Sequence, residues 1–554
     1  MTGPAAARRR TDGGAAVLQG SFGLPAERRS VLDPAHQGDI EGALGRVASY
    51  DTGPRLSTRA RLGTLLALMG PGLIVMVADN DAGGVSIYAQ AGQDYGLRLL
   101  WPLLLLAPVL FVNQEMVARL GAVTGAGHAR LIFERFGRRW GSFALGDLLL
   151  LNLLTIVTEL IGVRLACEYF GISRFVAVPL AAAALLLLTM TGSFRRWERA
   201  MYALVAVNFV GIPLVLLSHP NGGSAAEAVP QIQGGLDGGL VLFVIALVGT
   251  TVAPWQFFFH QSNVVDKRIT SRWLVYERFD TLVGTFLFVA GAVAVLAACA
   301  FAFSGTSLHG GFVDAGGVAR GLESQLGAPA GALFALGLLD ASLLGAGIVA
   351  LATAYAIGDV AGVKHSLHRD VRDARTFHGT FAAAIVLAAV LVLVPGLPLG
   401  VVTIAVQALA GILLPSASVF LLLLCNDRAV LGPWVNPRWL NVVAVLVVGC
   451  LIELSTLLIL ITLFPGLNVE VAAGVLTAAL GVAITSVILV GLRDPGRAQP
   501  FAGTPWERAT WTMPQLETLG PAQLGSARTV GLVALRFYLF LACALLVVKA
   551  VQLV

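Results

Sequence analysis

The residues best placed to do chemistry in this chain lie where a hydrophobic segment is interrupted. An apolar run over residues 62–78 ends at Asp79, Asn80 and Asp81, and paired glycines follow. A carboxylate at bilayer depth costs at least ~2.5 kcal/mol on insertion scales, and such residues mark ion or substrate pathways. Glycine lets a helix unwind, and unwound backbone is tolerated at that depth only where it lines a cavity or is buried in protein. The pattern therefore predicts a cation-binding site in a broken membrane helix.

A second hydrophobic segment, residues 239–263, is interrupted in a similar way. Residues 253–256, which read Ala-Pro-Trp-Gln, form the interruption. Proline removes a backbone hydrogen-bond donor and clashes with the chain one turn back. Two interrupted helices in corresponding positions favour a transporter with inverted repeats, whose site lies between them near the membrane midplane. We expect backbone carbonyls beside both breaks, including the one at Thr250, to face that site.

The composition predicts a membrane protein. Of the 554 residues, 57% are hydrophobic and 12% are charged, whereas a soluble domain carries about 25% charged residues. We therefore predict an all-α polytopic membrane protein embedded in the lipid bilayer. The net charge of +5 does not indicate a nucleic-acid partner, because the basic residues lie in loops on one side of the membrane. The five cysteines are scattered, without a disulfide or metal-binding spacing.

Nothing in the sequence indicates catalysis. No phosphate-binding glycine loop precedes a soluble helix, and no nucleotide-binding domain is recognisable. We expect no enzyme activity, no cofactor, and a monomer or weak oligomer.

About thirteen segments reach the ~20 apolar residues that a membrane span needs. They are residues 63–91 (broken), 97–119, 143–168, 174–191, 200–218, 239–263 (broken), 280–304, 329–357, 378–395, 398–425, 440–464, 470–491 and 529–552. Lys and Arg concentrate in alternate loops, and the positive-inside bias makes those loops and the N-terminus cytoplasmic. We expect a multi-pass protein of a bacterial-type plasma membrane.

These features divide the chain into three parts. Residues 1–60 are polar and rich in Arg, Gly, Ala and Pro, which is typical of a disordered cytoplasmic tail. Residues 61–425 form the predicted transporter core, with repeats over 61–218 and 239–425. Residues 426–554 are expected to add C-terminal transmembrane helices, which gives about 11–13 such helices in all.

Several motifs together resemble the Nramp family of divalent-metal transporters. They are Gly70-Pro71-Gly72 leading to Asp81-Ala82-Gly83-Gly84, Gln90-Ala91-Gly92 with Tyr95-Gly96, Ala118-Arg119-Leu120-Gly121, Glu159-Leu160-Ile161-Gly162, residues 251–256 with His260, and Gln407. The resemblance covers roughly residues 63–464. It implies a LeuT/APC-type inverted repeat of two five-helix units with helices 1 and 6 broken. It also implies a divalent metal ion as substrate and Asp81 as a metal ligand.

The departures from the family pattern concern the ion site. Gly84 replaces the family's asparagine, Ala253 its methionine, and Trp255 its first histidine in helix 6. Ile156 stands where the third helix carries an aspartate of the proton route. A thioether is a soft ligand that favours transition metals, whereas Mg²⁺ keeps several waters and binds one or two carboxylates. The pattern resembles the Nramp-related magnesium transporters, which implies carriage of Mg²⁺, and Mn²⁺ as well, without proton coupling.

These arguments select two groups of residues. The predicted metal site comprises Asp81, Gly84, Ala253, Thr250, Asp79, Gln256 and Gln407. The predicted transport pathway comprises Asp340, Glu115, Glu159, His260 and Trp255. Structural roles compete with some of these assignments. Asp81 could instead cap a half-helix, and His260 could serve in helix packing. Glu115 could pair with Arg119, and Glu159 with Arg164.

The leading hypothesis is a secondary carrier for Mg²⁺ that is driven by the membrane potential and works by alternating access around Asp81. The alternative is a proton-coupled Mn²⁺/Fe²⁺ carrier of the ordinary Nramp type, in which Asp79 or Asp340 replaces the missing acid. An organic substrate is disfavoured because Asp81 would repel a carboxylate. A non-transporting receptor or scaffold is disfavoured because it gains nothing from acidic residues inside the membrane.

Overall fold

The computed structural model describes residues 31–51, 53–218, 238–464, 466–493 and 503–522 and a few positions between 532 and 544. Within this part of the chain the secondary structure is helical apart from one short hairpin. Its strands β1 (Ile40–Gly42) and β2 (Gly45–Val47) pair antiparallel. The hairpin precedes the first helix of the predicted transporter core.

The predicted first repeat consists of helices joined by short connections. They are α1 (Thr58–Leu68), α2 (Pro71–Val77), α3 (Ala82–Tyr95), α4 (Leu100–Thr124), α5 (His128–Phe136), α6 (Arg138–Tyr169), α7 (Arg174–Thr189), α8 (Phe194–Val207) and α9 (Gly211–Leu217). The axes of α1 and α2 are bent by 53° relative to each other. The break between α2 and α3 lies where the sequence predicts the first interruption.

The second repeat and the C-terminal region follow the same pattern. Their helices are α10 (Gly238–Thr251), α11 (Pro254–Asp266), α12 (Leu274–Phe303), α13 (Ala315–Leu326), α14 (Ala328–Ala361), α15 (Arg375–Val392), α16 (Leu399–Cys425), α17 (Arg428–Leu431), α18 (Arg438–Leu463), α19 (Val469–Arg493) and α20 (Pro505–Thr510). The break between α10 and α11 lies at the second predicted interruption.

The helices account for nearly all predicted membrane spans. Among the described residues, nine helices are long and apolar enough to cross a membrane, or ten if the bent pair α1 and α2 forms one span. Two further predicted spans, 174–191 and 470–491, coincide with shorter apolar helices. The predicted last span, 529–552, lies largely outside the described residues.

Each break is fixed by the residue that starts the second half-helix. Asp81 has extended backbone, and its carboxylate accepts a hydrogen bond from the Gly84 main-chain nitrogen at 2.7 Å, as an N-cap does. Pro254 is the first residue of α11, where a missing N–H is harmless because that position has no intrahelical partner. Both half-helices therefore begin with residues that favour a helix start.

Small residues bring the broken helices close to their neighbours. A Cβ atom on Gly249 would lie 2.1 Å from the main-chain oxygen of Gln407, so α10 and α16 touch through their backbones. A Cβ atom on Gly162 would lie 2.5 Å from the Ala82 Cβ, so α6 packs directly on the start of α3. Membrane helix interfaces favour small residues for this reason. Both contacts bring α6 and α16 beside the breaks.

Residues 31–51 form an ordered segment against one end of the helical bundle. We call this end the inner face, and it also carries the basic loops 267–273 and 364–375. The composition predicts a disordered tail over residues 1–60, of which the first 30 lie outside the described part. Residues 31–51 differ from that prediction because they bury apolar side chains such as Ile40, which is 4% exposed.

Polar contacts hold this segment on the inner face. Asp33 forms an ion pair with Arg369 at 2.5 Å. The main-chain nitrogen of Ala43 donates to Glu198 of α8. Glu198 is itself buried in an ion pair with Lys267 at 2.5 Å. The segment therefore connects α8 with two loops of the inner face.

Residues 503–522 also lie on the inner face, whereas residues 426–554 were expected to add transmembrane helices. The Ser271 hydroxyl donates to the main-chain oxygen of Ala509 at 2.7 Å, and the Trp434 ring nitrogen donates to that of Arg508 at 2.9 Å. The polar sequence of this stretch explains the difference, because its backbone is paired with polar groups outside the membrane-spanning helices.

Candidate cation site at the helix breaks

Asp81 lies at the start of α3 with its carboxylate inside the protein. The residue is 2% exposed, and Oδ1 accepts the capping hydrogen bond from Gly84. The N-terminal end of a helix carries partial positive charge, which favours a carboxylate there. Asp81 therefore does cap the half-helix α3, which is the structural alternative to ion binding. The same carboxylate also faces the break, so the cap and the predicted ligand position coincide.

Asp79 brings a second buried carboxylate to the first break. It is fully buried, and Oδ1 accepts a hydrogen bond from Gln256 Nε2 across the second break. Its Oδ2 has no hydrogen-bond partner among the described residues. Leaving a buried polar atom unpaired costs free energy. That oxygen is therefore suited to bind a cation or a water molecule held by a cation.

Oxygen atoms crowd Gly84, which stands where the resemblance to Nramp transporters leads us to expect an asparagine. A Cβ atom on Gly84 would lie 2.9 Å from the main-chain oxygen of Asp79 and 3.3 Å from Thr250 Oγ1. Thr250 Oγ1 is buried and has no partner among the described residues. Because Gly84 has no side chain, an oxygen atom from each of the two broken helices can lie close to it.

Gln407 reaches the same region from α16. A Cβ atom on Gly83 would lie 1.8 Å from Gln407 Nε2, so this amide packs on the first turn of α3. Gln407 Nε2 has no hydrogen-bond partner in the described part of the chain. Ala253, the N-cap of α11, is 4% exposed, and Trp255 is fully buried. The residues predicted for the metal site therefore lie on α3, α10, α11, α16 and the two breaks.

Glu159 lies beside this site, next to the start of α3. Its Oε2 accepts a hydrogen bond from the main-chain nitrogen of Ala82 at 2.9 Å. Arg164, which was weighed as its partner, donates instead to Glu168 at 3.0 Å. The pairing of Glu159 with Arg164 is therefore wrong. Glu159 helps to cap α3 next to Asp81.

Asp340 is buried on α14 with both carboxylate oxygens unpaired within the described residues. Gly337, about one turn earlier, lines a mostly apolar cavity together with Asn80 and Asn208. This cavity is partly open and lies between α3, α9, α12 and α14. Asp340 itself is not among the residues that line this cavity, so its pathway role stays a prediction.

Glu115 and His260 lie away from the two acids of the first break. Glu115 forms ion pairs with Arg119 at 3.2 Å and with Arg278 at 2.7 Å. The pairing with Arg119, which the sequence analysis weighed against a pathway role, is present. His260 is fully buried, and its Nδ1 lies 2.9 Å from Gln114 Oε1. It therefore joins a polar network and is not isolated among apolar side chains.

Two residues of this network were missed by the sequence analysis. Gln114 and Glu277 are both fully buried. Gln114 stands next to Glu115 inside a predicted span, and a polar residue at such a position is the one sign in the sequence of its role. Glu277 lies just before the predicted span 280–304, so nothing in the sequence placed it in the interior.

The candidate site offers several kinds of ligand atom. Within the described residues, no group of three or more His, Cys, Asp or Glu side chains is arranged to hold a metal ion. The breaks offer two carboxylates together with hydroxyl and main-chain oxygens. Hard divalent cations bind oxygen ligands of these kinds, and Mg²⁺ usually keeps several waters when it does so.

Comparison with known proteins identifies the family. The profile of the family described as "Natural resistance-associated macrophage protein-like" (Nramp) matches residues 72–461. The chain is 32% identical over 400 residues to the divalent metal cation transporter MntH of Ralstonia nicotianae. This alignment covers 69% of this chain and 87% of the relative. It is 28% identical over 417 residues to MntH of Latilactobacillus sakei, in an alignment that covers 72% of this chain and 90% of that relative.

The fold is similar to that of a solved transporter. The crystal structure of the manganese transporter of Eremococcus coleocola, in complex with an aromatic bis-isothiourea substituted compound, superposes with a TM-score of 0.62 at 21% identity. The match covers 82% of this chain and 98% of the other. The predicted all-α, multi-pass, LeuT-type fold is confirmed. The relatives are membrane transporters, so the prediction that this chain is not an enzyme is confirmed as well. The chain belongs to the Nramp family.

Proposed function

We propose that this protein is a secondary membrane transporter that carries divalent cations, Mg²⁺ above all and Mn²⁺ as well, by alternating access around Asp81. The named relatives are divalent metal cation transporters, and the protein with a similar solved fold is a manganese transporter. These names support the substrate class. The metal ion is the cargo, and we propose no resident cofactor.

The observation that carries the proposal is the convergence of oxygen atoms on Gly84. The main-chain oxygen of Asp79 and the Thr250 hydroxyl both lie against this glycine, and the Asp81 carboxylate is bonded to its nitrogen at 2.7 Å. The family's soft thioether position is Ala253, which offers no sulfur. Hard oxygen ligands with no thioether favour Mg²⁺ over transition metals.

Uptake without proton coupling is part of the proposal. The family's acidic position in the third helix is Ile156, a fully buried apolar residue. Its first histidine in helix 6 is Trp255. A proton relay needs titratable groups, and both positions lack them. The membrane potential supplies ~2.3 kcal/mol per charge per 100 mV, and twice that for a divalent ion.

The orientation follows from the basic loops. We propose that the inner face is cytoplasmic, because Lys267, Arg268, Arg369 and the rest of its Lys and Arg residues concentrate there. The N-terminus would then lie in the cytoplasm of a cell with a bacterial-type plasma membrane.

Flux measurements test this function. The full-length protein is reconstituted in liposomes that contain a Mg²⁺ indicator and a pH indicator. With an inside-negative potential, we expect Mg²⁺ uptake without acidification, and no uptake by Asp81→Ala. Absence of Mg²⁺ uptake, with Mn²⁺ uptake and acidification instead, would falsify the proposal.

That result would favour the second candidate, a proton-coupled Mn²⁺/Fe²⁺ carrier. The specific observation in its favour is a pair of buried acids with unpaired oxygens, Asp79 and Asp340. Either could replace the acid that is missing at Ile156. Loss of acidification in Asp79→Asn or Asp340→Asn, with metal uptake retained, would identify which one carries the proton.

A further inference from the structure

A row of buried side chains runs from the cation site toward the inner face. Gln256 Nε2 donates to Asp79 Oδ1. Gln114 Nε2 donates to Gln256 Oε1 at 2.7 Å. His260 Nδ1 lies 2.9 Å from Gln114 Oε1, and His260 Nε2 lies 3.1 Å from Glu277 Oε1. None of the five side chains is more than 1% exposed, so water does not compete for these hydrogen bonds.

The amide groups fix the direction of the row. An amide donates through its nitrogen and accepts through its oxygen. Because Gln114 donates to Gln256, its Oε1 must accept, and His260 Nδ1 must carry a hydrogen. The hydrogen bonds that link His260, Gln114 and Gln256 therefore all run toward Asp79, which is the final acceptor.

This arrangement orients side chains and does not conduct protons. Two amides interrupt it, and an amide nitrogen is a hydrogen-bond donor that does not act as an acceptor. Its effect is to hold Asp79 Oδ1 on the side of Gln256. The other oxygen, Oδ2, then remains unpaired among the described residues and available to the site.

The far end of the row lies beside the start of α2. Glu277 and Asp280 are about one turn apart on α12. Asp280 Oδ2 accepts hydrogen bonds from the main-chain nitrogens of Gly70 at 3.0 Å and Gly72 at 2.8 Å. The half-helix α2 is thus held at its start by Asp280, and Asp79, just beyond its end, is held by Gln256.

We propose that Gln256, Gln114 and His260 are positioning residues that orient Asp79 toward the transported cation. The proposal rests on the proposed function, because it assigns the cation site to Asp79 and Asp81. It adds Gln114, whose side chain bonds Gln256 and His260 and not Asp79 itself. Gln114 acts on the cation only through Asp79.

A double-mutant cycle tests this dependence. Gln114→Leu is prepared in the wild-type and in the Asp79→Asn background, and the apparent KM for cation uptake is measured in liposomes. Gln261→Leu is the matched control, because Gln261 is a fully buried glutamine on α11 that bonds Ala126 and His128 outside the row. The cation is Mg²⁺, or Mn²⁺ if the wild-type protein carries only that ion. The rise in melting temperature on adding the same ion provides a second measurement that does not require transport.

We expect Gln114→Leu to raise the KM about tenfold in the wild-type background, as the loss of one buried hydrogen bond does. In the Asp79→Asn background we expect less than a twofold change, whereas Gln261→Leu has equal effects in both. Equal effects of Gln114→Leu in the two backgrounds overturn the proposal and leave Gln114 a packing residue. A wild-type protein that carries Mn²⁺ but not Mg²⁺ refutes the proposed substrate and still permits this cycle, so the two failures are distinguishable.

Discussion

Glu159 Oε2 lies 2.9 Å from the main-chain nitrogen of Ala82, although the two residues are 77 positions apart in the sequence. A carboxylate on α6 therefore caps the half-helix that begins beside Asp81. The contact couples the third transmembrane segment to the geometry of the candidate cation site. It also gives Glu159 a structural task that differs from proton transfer.

Substitutions at Glu159 separate these two tasks. In Glu159→Gln the side-chain oxygen still accepts the Ala82 N–H, so we expect Mg²⁺ flux within about threefold of wild type. In Glu159→Leu that buried N–H is unpaired, at a cost of about 1–3 kcal/mol, and flux should fall more than tenfold. Liposome flux and the melting temperature measure both effects. If Gln were as damaging as Leu, the charge of Glu159 and not its capping bond would matter.

Asp81 has a matched control elsewhere in the chain. Asp81-Ala82-Gly83-Gly84 and Asp314-Ala315-Gly316-Gly317 are the same tetrapeptide. In both, the aspartate caps a helix through a 2.7 Å bond to the nitrogen three residues later.

We predict that Asp314→Ala lowers the free energy of unfolding by about 1 kcal/mol, as loss of an N-cap does, and leaves Mg²⁺ flux unchanged. Asp81→Ala loses the same cap, and we predict that it abolishes flux as well. Thermal unfolding and flux on the two purified variants check this. Retained flux in Asp81→Ala would reduce Asp81 to a structural cap.

The same tetrapeptide shows how far the sequence predicts the site. Its local chemistry gives a helix start at both places. Only the apolar flanks of Asp81 indicate that this copy lies inside the membrane. The interruptions of the hydrophobic segments predicted both breaks correctly, because helix interruption depends on the local sequence. Partners such as Ala82 for Glu159 and Gln114 for His260 depend on how distant helices pack. No periodicity encodes them, so the pairing with Arg164 was wrong and Gln114 was missed.

Gly84 should be sensitive to an increase in side-chain size. A Cβ atom there would lie 2.9 Å from the Asp79 main-chain oxygen, which is too close without movement of the backbone. Gly146 on α6 is a matched control, since a Cβ atom on it meets nothing within 4 Å. We expect Gly84→Ala to raise the KM for Mg²⁺ at least tenfold and Gly146→Ala to change it less than twofold. Comparable effects of the two changes would contradict the assignment of Gly84 to the ion site.

Docking of residues 31–51 on the inner face should depend on pH through two histidines. Burial lowers the pKa of His36 to about 4, although the Asp266 carboxylate at 3.5 Å and those of Asp33 and Asp359 oppose this, whereas the neighbouring His365 favours it. His365 is also buried, but the Asp359 carboxylate at 3.0 Å raises the pKa of His365 to about 9. The ordinary pKa of both is 6.5. The two shifts have opposite signs, so they act in opposite pH ranges.

The folded form holds His36 neutral, so its contribution to docking is complete above pH 6.5 and is lost as the pH falls toward about 4. It holds His365 charged, so that contribution is complete below pH 6.5 and is lost as the pH rises through about 9. We therefore expect hydrogen-exchange protection factors of the β1 and β2 amides to be highest near pH 6.5 and to fall on both sides. His36→Gln cannot titrate, and its side-chain nitrogen can still donate to the His365 main-chain oxygen, which His36 Nε2 contacts at 3.0 Å. In this variant we expect the protection factors to stay high at acidic pH and still to fall at alkaline pH. If they also fall at acidic pH, a group other than His36 causes that pH dependence.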